Sequence, residues 1–227
     1  MTDPAPAVAG RTVLLAGATS AAGIAVGRDL AAHGARVIAV GSNAERLRVV
    51  TAEVPDAIGY VCDLARFDDV IGLRERIHAE HGRIDGLIHL VGGWRGGGGF
   101  AGQTDEDWEF LHSRVFTTLR NTTRVFVEDL HASDAGRLAI VSTTTLDKPM
   151  PGGANYAAAK AAAETWVRAI ANGFEKSAPT ASATIFVVRA LDGLESRLAA
   201  GVTALWGADG ASEPLSRLPL AADPDAT

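Results

Sequence analysis

The chain has 227 residues, 47% of them hydrophobic, and a net charge of −6, which suffices for the core of one globular domain and argues against a nucleic-acid partner. No apolar run reaches the roughly 18 residues of a membrane span, and the N-terminus lacks the layout of a signal peptide, so we expect a cytoplasmic protein with no membrane partner. The single cysteine, Cys62, excludes an internal disulfide, and no His/Cys cluster has ligand spacing, so no metal site is predicted.

Apolar strands and helices alternate along the chain, which is the pattern of a parallel sheet covered on both faces. In chain order we predict a strand in RTVLLAG, a helix from Ser20 to His33, a strand in ARVIAVG, a helix from Asn43 to Ala52, a strand in IGYVCDL, a helix from Phe67 to His81, a strand in DGLIHLVGG, one long helix from Asp105 to Leu130, a strand in GRLAIVSTT, a helix from Ala154 to Phe174, a strand in SATIFVVRA, a helix from Leu194 to Trp206 and a weak strand in SRLPLA. The predicted fold is a single-domain, doubly wound α/β sheet of the Rossmann type. We place it at residues 10–221, between a leader (1–9) and a disordered tail (222–227).

The first turn from strand to helix carries glycines that suit a bound phosphate. In LLAGATSAAGIAVG, Gly17 and Gly23 stand where a side chain would keep a pyrophosphate away from the backbone. The helix N-terminus supplies free N–H groups, and Thr19 and Ser20 add hydroxyl donors. This pattern predicts dinucleotide binding, with a purely structural tight turn as the alternative.

A tyrosine and a lysine lie four residues apart in the alanine-rich stretch GGANYAAAKAAAE. Alanine favours a helix, so Tyr156 and Lys160 share one helix face and can act on the same small molecule. The spacing alone is common, and a packed tyrosine beside a surface lysine would also produce it, so a second signal is needed.

Together these motifs resemble those of the short-chain dehydrogenase/reductase family, and the run ANYAAAK resembles that of bacterial ketoacyl reductases. The match spans nearly the whole chain: the family's T-G-x-x-x-G-x-G turn corresponds to residues 16–23, its adenine-contacting aspartate to Asp63 and its Y-x-x-x-K to Tyr156 and Lys160. The resemblance implies a nicotinamide dinucleotide contacted by Gly17, Thr19, Ser20, Gly23, Ile24, Ser42, Asn43, Asp63, Leu64, Val91, Gly92, Tyr156 and Lys160.

The resemblance also implies an oxidoreductase in which Tyr156 protonates a carbonyl oxygen during hydride transfer, or runs the reverse oxidation. Lys160, together with the charge of the oxidised nicotinamide, is then expected to favour the phenolate, which lowers the pKa of Tyr156, and Lys160 is expected to hold the nicotinamide ribose. The family's catalytic serine, thirteen residues before the tyrosine, corresponds to Thr143, which offers the same hydroxyl donor; we prefer Thr143 to its neighbour Ser142.

Several positions depart from the family pattern. Gly41 replaces the acidic residue with which relatives that prefer NAD usually bind the ribose, while Ser42, Asn43 and Arg46 follow it, so we lean toward NADP(H). Arg46 is equally explained as a solvated helix residue. Ala16 and Ala21 replace a threonine and a glycine of the turn.

Two further departures affect the predicted chemistry. His89 begins the segment that is N-N-A-G in the family, and it is either a core histidine or a group near the ribose. Val115 replaces the family's asparagine that helps to hold a relay water, and an apolar side chain cannot do so. The segment LDGLES leaves little room for the family's usual lid.

The predicted substrate is a small or carrier-tethered carbonyl compound. The loop GGWRGGGGF, with Trp94, Arg95 and Phe100, either supplies a wall of its pocket or is disordered surface.

Two other functional classes stay open: non-redox chemistry such as dehydration, isomerisation or cyclisation in the same pocket, and a catalytically silent binding subunit. We expect a homodimer or homotetramer built on the two long helices, whose candidate core or interface residues are Phe110, Leu111, Leu119, Trp166 and Ile170.

Overall fold

Seven parallel strands form one sheet in the computed structural model, which describes residues 7–207 and 213–220. The strands are β1 (Thr12–Ala16), β2 (Arg36–Gly41), β3 (Ile58–Val61), β4 (Gly86–His89), β5 (Arg137–Thr143), β6 (Ser182–Val188) and β7 (Leu215–Pro219). Their order across the sheet is β3-β2-β1-β4-β5-β6-β7, and every neighbouring pair is parallel. The strand order reverses between β1 and β4, the switch point at which open α/β sheets bind ligands. The predicted doubly wound sheet is confirmed.

Helices cover both faces of this sheet. They are α1 (Ala21–Ala32), α2 (Ala44–Glu53), α3 (Phe67–His81), α4 (Asp105–Leu111), α5 (Thr118–Ala132), α6 (Ala154–Ser177) and α7 (Glu195–Thr203). One apolar cluster joins the sheet to α3, α5 and α6, and a second joins it to α1, α2 and α7. Because both faces are covered, the strands carry continuous apolar runs, and all five residues of β1 are buried.

The single long helix predicted from Asp105 to Leu130 is wrong. A π-helical turn at His112–Thr117 separates α4 from α5, and the Thr118 N–H donates to the carbonyl of Ser113, five residues back. The predicted last helix likewise ends in a 3-10 turn at Ala204–Trp206 after α7. The π turn matters because it lies beside the cleft described below.

The N-terminal boundary and the outer helix faces bear on the predicted domain and assembly. Val8, within the predicted leader, is only 1% exposed and belongs to the second core cluster. The predicted tail at residues 222–227 lies outside the described residues. Leu111 and Leu119 are core residues, whereas Phe110, Trp166 and Ile170 are partly buried at the edge of the first cluster. Within residues 7–207 and 213–220, no helix has both the length and the apolar character to cross a membrane.

Candidate active site

A long cleft follows the carboxyl edge of the sheet at the switch point. It consists of two adjoining cavities of about 860 and 610 Å³, which share the lining residues Ser20, Leu90, Val91 and Gly92. The larger cavity contains Thr143, Tyr156 and Lys160. The smaller is lined by Gly17, Thr19, Ser42, Asn43, Asp63 and Leu64. Residues predicted from separate motifs therefore line one cleft.

The glycines of the first turn are required by close backbone packing. Gly17 has φ +84°, and a Cβ there would lie 2.8 Å from the backbone of Leu90 and Val91. A Cβ on Gly23 would lie 2.5 Å from the carbonyl oxygen of Ala18. Gly17 lines the cleft, but Gly23 acts beneath it by letting α1 start close to β1, and Ile24 packs against the second core cluster. The structure thus does not bring the predicted contacts Gly23 and Ile24 to the cleft surface.

Ser20 caps the helix that starts at this turn. Its hydroxyl accepts from the Gly23 N–H at 3.0 Å and donates to the Gly17 carbonyl at 3.2 Å. The next two residues, Ala21 and Ala22, occupy the first positions of α1, where backbone N–H groups lack intrahelical partners, and both line the cleft. The helix N-terminus therefore presents free donors, while the Ser20 proton is already engaged.

The smaller cavity has a polar floor without an acidic residue at the end of β2. A Cβ on Gly41 would lie 2.8 Å from Thr19 Cγ2, so Thr19 occupies the space that a side chain there would need. Asn43 caps α2 by accepting from the Arg46 N–H at 2.9 Å. Asp63 accepts from the Ala65 N–H at 3.0 Å, which orders the turn after β3.

Sequence reasoning missed Asn121, which holds that same turn from below. Its buried side-chain amide donates to the carbonyls of Leu64 and Ala65 at 3.1 and 3.0 Å. The two partners lie more than fifty residues away in the sequence, so no local pattern marks this contact.

Tyr156 faces Thr143 in the larger cavity. Burial raises the pKa of Tyr156, and the neighbouring Thr143 hydroxyl partly offsets the rise. The Thr143 hydroxyl also lies 3.0 Å from that of Thr145 and accepts from its N–H. In the protein alone, the direction of the Tyr156 pKa shift is opposite to the one predicted for the complex with a nicotinamide, because desolvation disfavours the phenolate and outweighs the effect of Thr143.

Lys160 is buried and points below the tyrosine. Its Nζ donates to the Val141 carbonyl at 2.7 Å and lies 5.9 Å from the centre of the Tyr156 ring. Burial lowers the pKa of Lys160 to about 8, and Glu164 opposes the shift. The ammonium has three N–H donors, of which Val141 takes one, so two remain for the cleft.

The glycine-rich loop after β4 forms part of the cleft wall. Trp94 and Gly97 line the larger cavity together with Met150 and Gly152 from the loop before α6. Trp94 is 65% exposed, so its ring stands at the rim and does not fill the cavity. Arg95 lies 3.8 Å above the Phe110 ring and 3.6 Å from Asp107, which ties the loop to α4. Of the three residues predicted for a wall, Trp94 lines the cavity, whereas Arg95 and Phe100 do not, and Phe100 is 74% exposed.

Comparison with known proteins assigns the family. A sequence model described as short chain dehydrogenase matches residues 11–183. The chain belongs to the short-chain dehydrogenase family. Nodulation protein G of Rhizobium meliloti is 31% identical over 67% of this chain, and 2,3-dihydro-2,3-dihydroxybenzoate dehydrogenase of Bacillus subtilis is 29% identical over 73%. These matches span 62% and 65% of the two relatives, so the chain covers less than two thirds of their length.

Solved structures agree with the family in fold. A metagenomic short-chain oxidoreductase in complex with NADP has a TM-score of 0.84 and 22% identity, with 96% of this chain and 100% of that chain covered. At this identity the likeness concerns the arrangement of helices and strands.

His89 replaces the first asparagine of the family's N-N-A-G segment and is buried. Its Nε2 lies 3.0 Å from the Thr118 hydroxyl, which donates to the Arg114 carbonyl at 2.6 Å. Since the Thr118 proton goes to that carbonyl, His89 is the donor to Thr118. Burial lowers the pKa of His89 to about 3, with a further contribution from the Lys160 charge. His89 is therefore neutral and hydrogen-bonded, and it also lines the larger cavity.

Val115 stands in the π turn where the short-chain dehydrogenase family usually has asparagine. It is buried in the first core cluster with Leu111 and Leu119. Thr118 holds the end of the turn through the Arg114 carbonyl. The backbone distortion is thus present without the asparagine side chain, while no side-chain amide stands at residue 115.

Ser142 differs from Thr143 although both line the larger cavity. Its hydroxyl is buried and has no hydrogen-bond partner among the described residues. The Thr143 hydroxyl, by contrast, partly offsets the raised pKa of Tyr156, the predicted acid, which favours Thr143 over Ser142. No group of His, Cys, Asp and Glu side chains among the described residues is arranged to hold a metal ion.

Proposed function

We propose that this protein is an NADP(H)-dependent oxidoreductase that reduces a carbonyl group, or oxidises the corresponding alcohol, with Tyr156 as the acid/base. The observation that carries the proposal is the convergence of Thr143, Tyr156 and Lys160 in one cavity that continues into the glycine turn. Membership in the short-chain dehydrogenase family supports it, since the matched segment includes all three residues.

The residues of the cleft fit a dinucleotide. Gly17 lines the smaller cavity, and the first turn of α1 aims free N–H groups and a partial positive charge at the cleft, the arrangement that binds phosphates. Asp63 and Leu64 would hold the adenine at the far end of the cleft, and Val91 and Gly92 lie where its two halves meet. Tyr156 and Lys160 would hold the nicotinamide ribose.

A preference for NADP(H) follows from the end of β2. Residue 41 carries no carboxylate that would bind the ribose hydroxyl or repel a 2′-phosphate. Ser42, Asn43 and Arg46 line the same cavity, and an arginine suits a phosphate. The metagenomic relative in complex with NADP supports the same choice by analogy.

The side chains divide the chemistry between them. When bound, the nicotinamide would supply or accept the hydride. Because burial raises its pKa, Tyr156 keeps its phenol proton at neutral pH and can donate it to a carbonyl oxygen. The Thr143 hydroxyl is a second donor toward that oxygen. Lys160, with a pKa of about 8, carries its charge at pH 7 and stabilises the phenolate left behind.

The proposed substrate is a small or carrier-tethered carbonyl compound with an apolar body. Trp94 and Met150 are largely exposed at the cleft mouth, where an apolar group would cover them.

The proposed assembly is a cytoplasmic homodimer or homotetramer. It is supported by a row of rings along α4 to α6, in which neighbouring centroids are 5.4–5.9 Å apart. The row comprises Trp108, His112, Phe116 and Trp166.

Titration of the purified protein with NADPH and NADH, followed by nicotinamide fluorescence, tests the cofactor assignment. Micromolar binding of NADPH, with weaker binding of NADH, is expected. A screen of ketones and aldehydes with NADPH would follow, and Tyr156→Phe should lower kcat by about 10²–10⁴-fold while Lys160 and the glycine turn still hold NADPH. Tyr60→Phe, which alters the other tyrosine and a residue that lines neither cavity, is the matched control.

Each other outcome points to one of the alternatives. NADPH binding without turnover of any carbonyl compound would favour non-redox chemistry in the same pocket. Absence of binding by either cofactor would remove the basis for hydride transfer and favour a binding subunit.

A further inference from the structure

One side chain joins the glycine-rich loop to the helix that carries Tyr156. Gln103 Nε2 lies within hydrogen-bond distance of three carbonyl oxygens, those of Gly97 (3.3 Å), Gly99 (3.3 Å) and Gly152 (3.1 Å). Its Oε1 accepts from the backbone N–H of Asn155 at 3.0 Å. Donors and acceptor of the amide are thus both used, and they reach the loop, the segment before α6 and α6 itself.

The Asn155 contact supplies a cap that α6 otherwise lacks. The residue before this helix is Gly153, which has no side chain to accept from the first N–H groups. Asn155 lies in the first turn, where backbone donors need an outside acceptor, and Gln103 provides it. Tyr156 is the next residue, so the cap acts beside the proposed acid.

The loop and the segment before α6 are also joined directly. The Gly97 N–H donates to the Gly152 carbonyl at 2.8 Å, and the side-chain amide of Asn155 donates to the Thr104 carbonyl at 3.1 Å. A Cβ on Gly96 would lie 2.4 Å from the Gly152 oxygen, so the backbones can approach only because residue 96 is glycine. The Gln103 side chain lies between these contacts, and it donates to the same Gly152 carbonyl that accepts from the Gly97 N–H.

We infer that Gln103 is a positioning residue: it fixes the Trp94 wall of the cleft and the first turn of α6, and thereby sets the surroundings of Tyr156. This inference rests on the proposed function for the role of Tyr156. Gly97, Gly152 and Tyr156 line the same cavity, so a displacement of the loop would change the exposure of Tyr156, whose burial raises its pKa.

Two substitutions separate the parts of this role. Gln103→Leu removes every hydrogen bond while keeping a similar volume. Gln103→Glu keeps an acceptor, and a negative charge, for the α6 cap but presents a carboxylate to the three carbonyls. Glu109→Ala, at an exposed position of α4, is the matched control.

Hydrogen exchange of the free protein is the first measurement. Amides in residues 93–102 are expected to exchange at least about five-fold faster in both Gln103 variants than in the wild type and the control. In Gln103→Leu the first turn of α6 should also exchange faster, and in Gln103→Glu it should keep its protection. Unchanged exchange in residues 93–102 in both variants would overturn the inference.

The second measurement distinguishes positioning of the site from mere anchoring of a loop. The chain has two tyrosines, so the difference between each protein and its Tyr156→Phe derivative isolates the ultraviolet titration of Tyr156. A more exposed phenol ionises more readily, so Gln103→Leu should lower the pKa of Tyr156 relative to the wild type. An unchanged pKa beside faster loop exchange would reduce Gln103 to a structural anchor and overturn the positioning role.

Neither measurement requires a cofactor or a substrate. Failure of the wild type to bind NADPH would overturn the proposed function and leave these results standing. Unchanged exchange and titration beside normal NADPH binding would overturn only the role of Gln103.

Discussion

Gly41→Asp tests both the packing and the cofactor preference at the end of β2. The added Cβ would lie 2.8 Å from Thr19 Cγ2, well inside the separation of about 3.5 Å or more at which carbon atoms attract. Relief requires Thr19 to rotate or the turn to shift, and overpacking of this kind costs about 1–3 kcal/mol. The new carboxylate would also face the position proposed for the 2′-phosphate.

Thr19→Ser removes the methyl group of Thr19 and keeps the hydroxyl. In the double variant the contact with residue 41 is gone, so most of the lost stability should return. Urea unfolding of the wild type, both single variants and the double variant forms a cycle, and we expect a coupling of about 1 kcal/mol or more between the two sites. In the double variant, NADPH binding should weaken about ten-fold or more, because the carboxylate repels the phosphate, while NADH binding holds or tightens.

Two results would refute this reasoning. Equal stability of Gly41→Asp and the double variant would mean that the Thr19 methyl group does not exclude a side chain at residue 41. Unchanged NADPH affinity in the double variant would mean that the 2′-phosphate binds elsewhere. The residues at the end of β2 would then give no reason to prefer NADP(H).

Three further predictions concern the first turn and the buried bases. In urea unfolding, Gly17→Ala should lower the free energy of unfolding by about 2–4 kcal/mol and Gly10→Ala by about 1 kcal/mol. Both glycines have positive φ, but only a Cβ at residue 17 would meet backbone atoms. Equal losses of stability in the two variants would contradict the packing argument. Folding lowers the pKa of Lys160 from 10.5 to about 8, so as the pH rises the folded protein releases the Lys160 proton before the unfolded chain does. The stability of the wild type relative to Lys160→Met should therefore rise by up to about 3 kcal/mol between pH 8 and 10.5. A stability difference that does not change with pH would contradict the burial argument. Folding lowers the pKa of His89 from 6.5 to about 3, so as the pH falls the unfolded chain is protonated at His89 before the folded protein is. The stability of the wild type relative to His89→Gln should therefore drop by up to about 3 kcal/mol from pH 6.5 to 4. Parallel stability profiles of the two proteins would mean that His89 is hydrated.

The fold was predictable because strand burial dictates composition. Each inner strand of a sheet covered on both faces must be largely apolar, and every residue of β1 and β6 is buried. The π turn was not predictable in the same way. One extra residue in a helical turn leaves the apolar period of α4 and α5 nearly intact, so the sequence reads as one helix.

The candidate site divides along similar lines. Tyr156 and Lys160 were predicted because a helical spacing leaves a local signal, and Thr143 was predicted from the resemblance to the family, whose serine lies thirteen residues before the tyrosine. Asn121 and Gln103 were not, since their partners are backbone carbonyls of remote segments, chosen by tertiary packing. The direction of the Tyr156 pKa shift also escaped prediction, because desolvation depends on what surrounds a side chain.

The departures at His89 and Val115 concern the same region and follow from one another. At the π turn the Arg114 carbonyl lacks its usual helical donor, and the Thr118 hydroxyl supplies one. That commitment leaves the Thr118 oxygen free to accept, and His89 donates to it. Because the Arg114 carbonyl and the Thr118 hydroxyl both have hydrogen-bond partners, an apolar Val115 leaves neither of these polar groups of the turn unpaired. This accounts for a distorted helix without asparagine, and residue 115 offers no polar side chain to a proton relay.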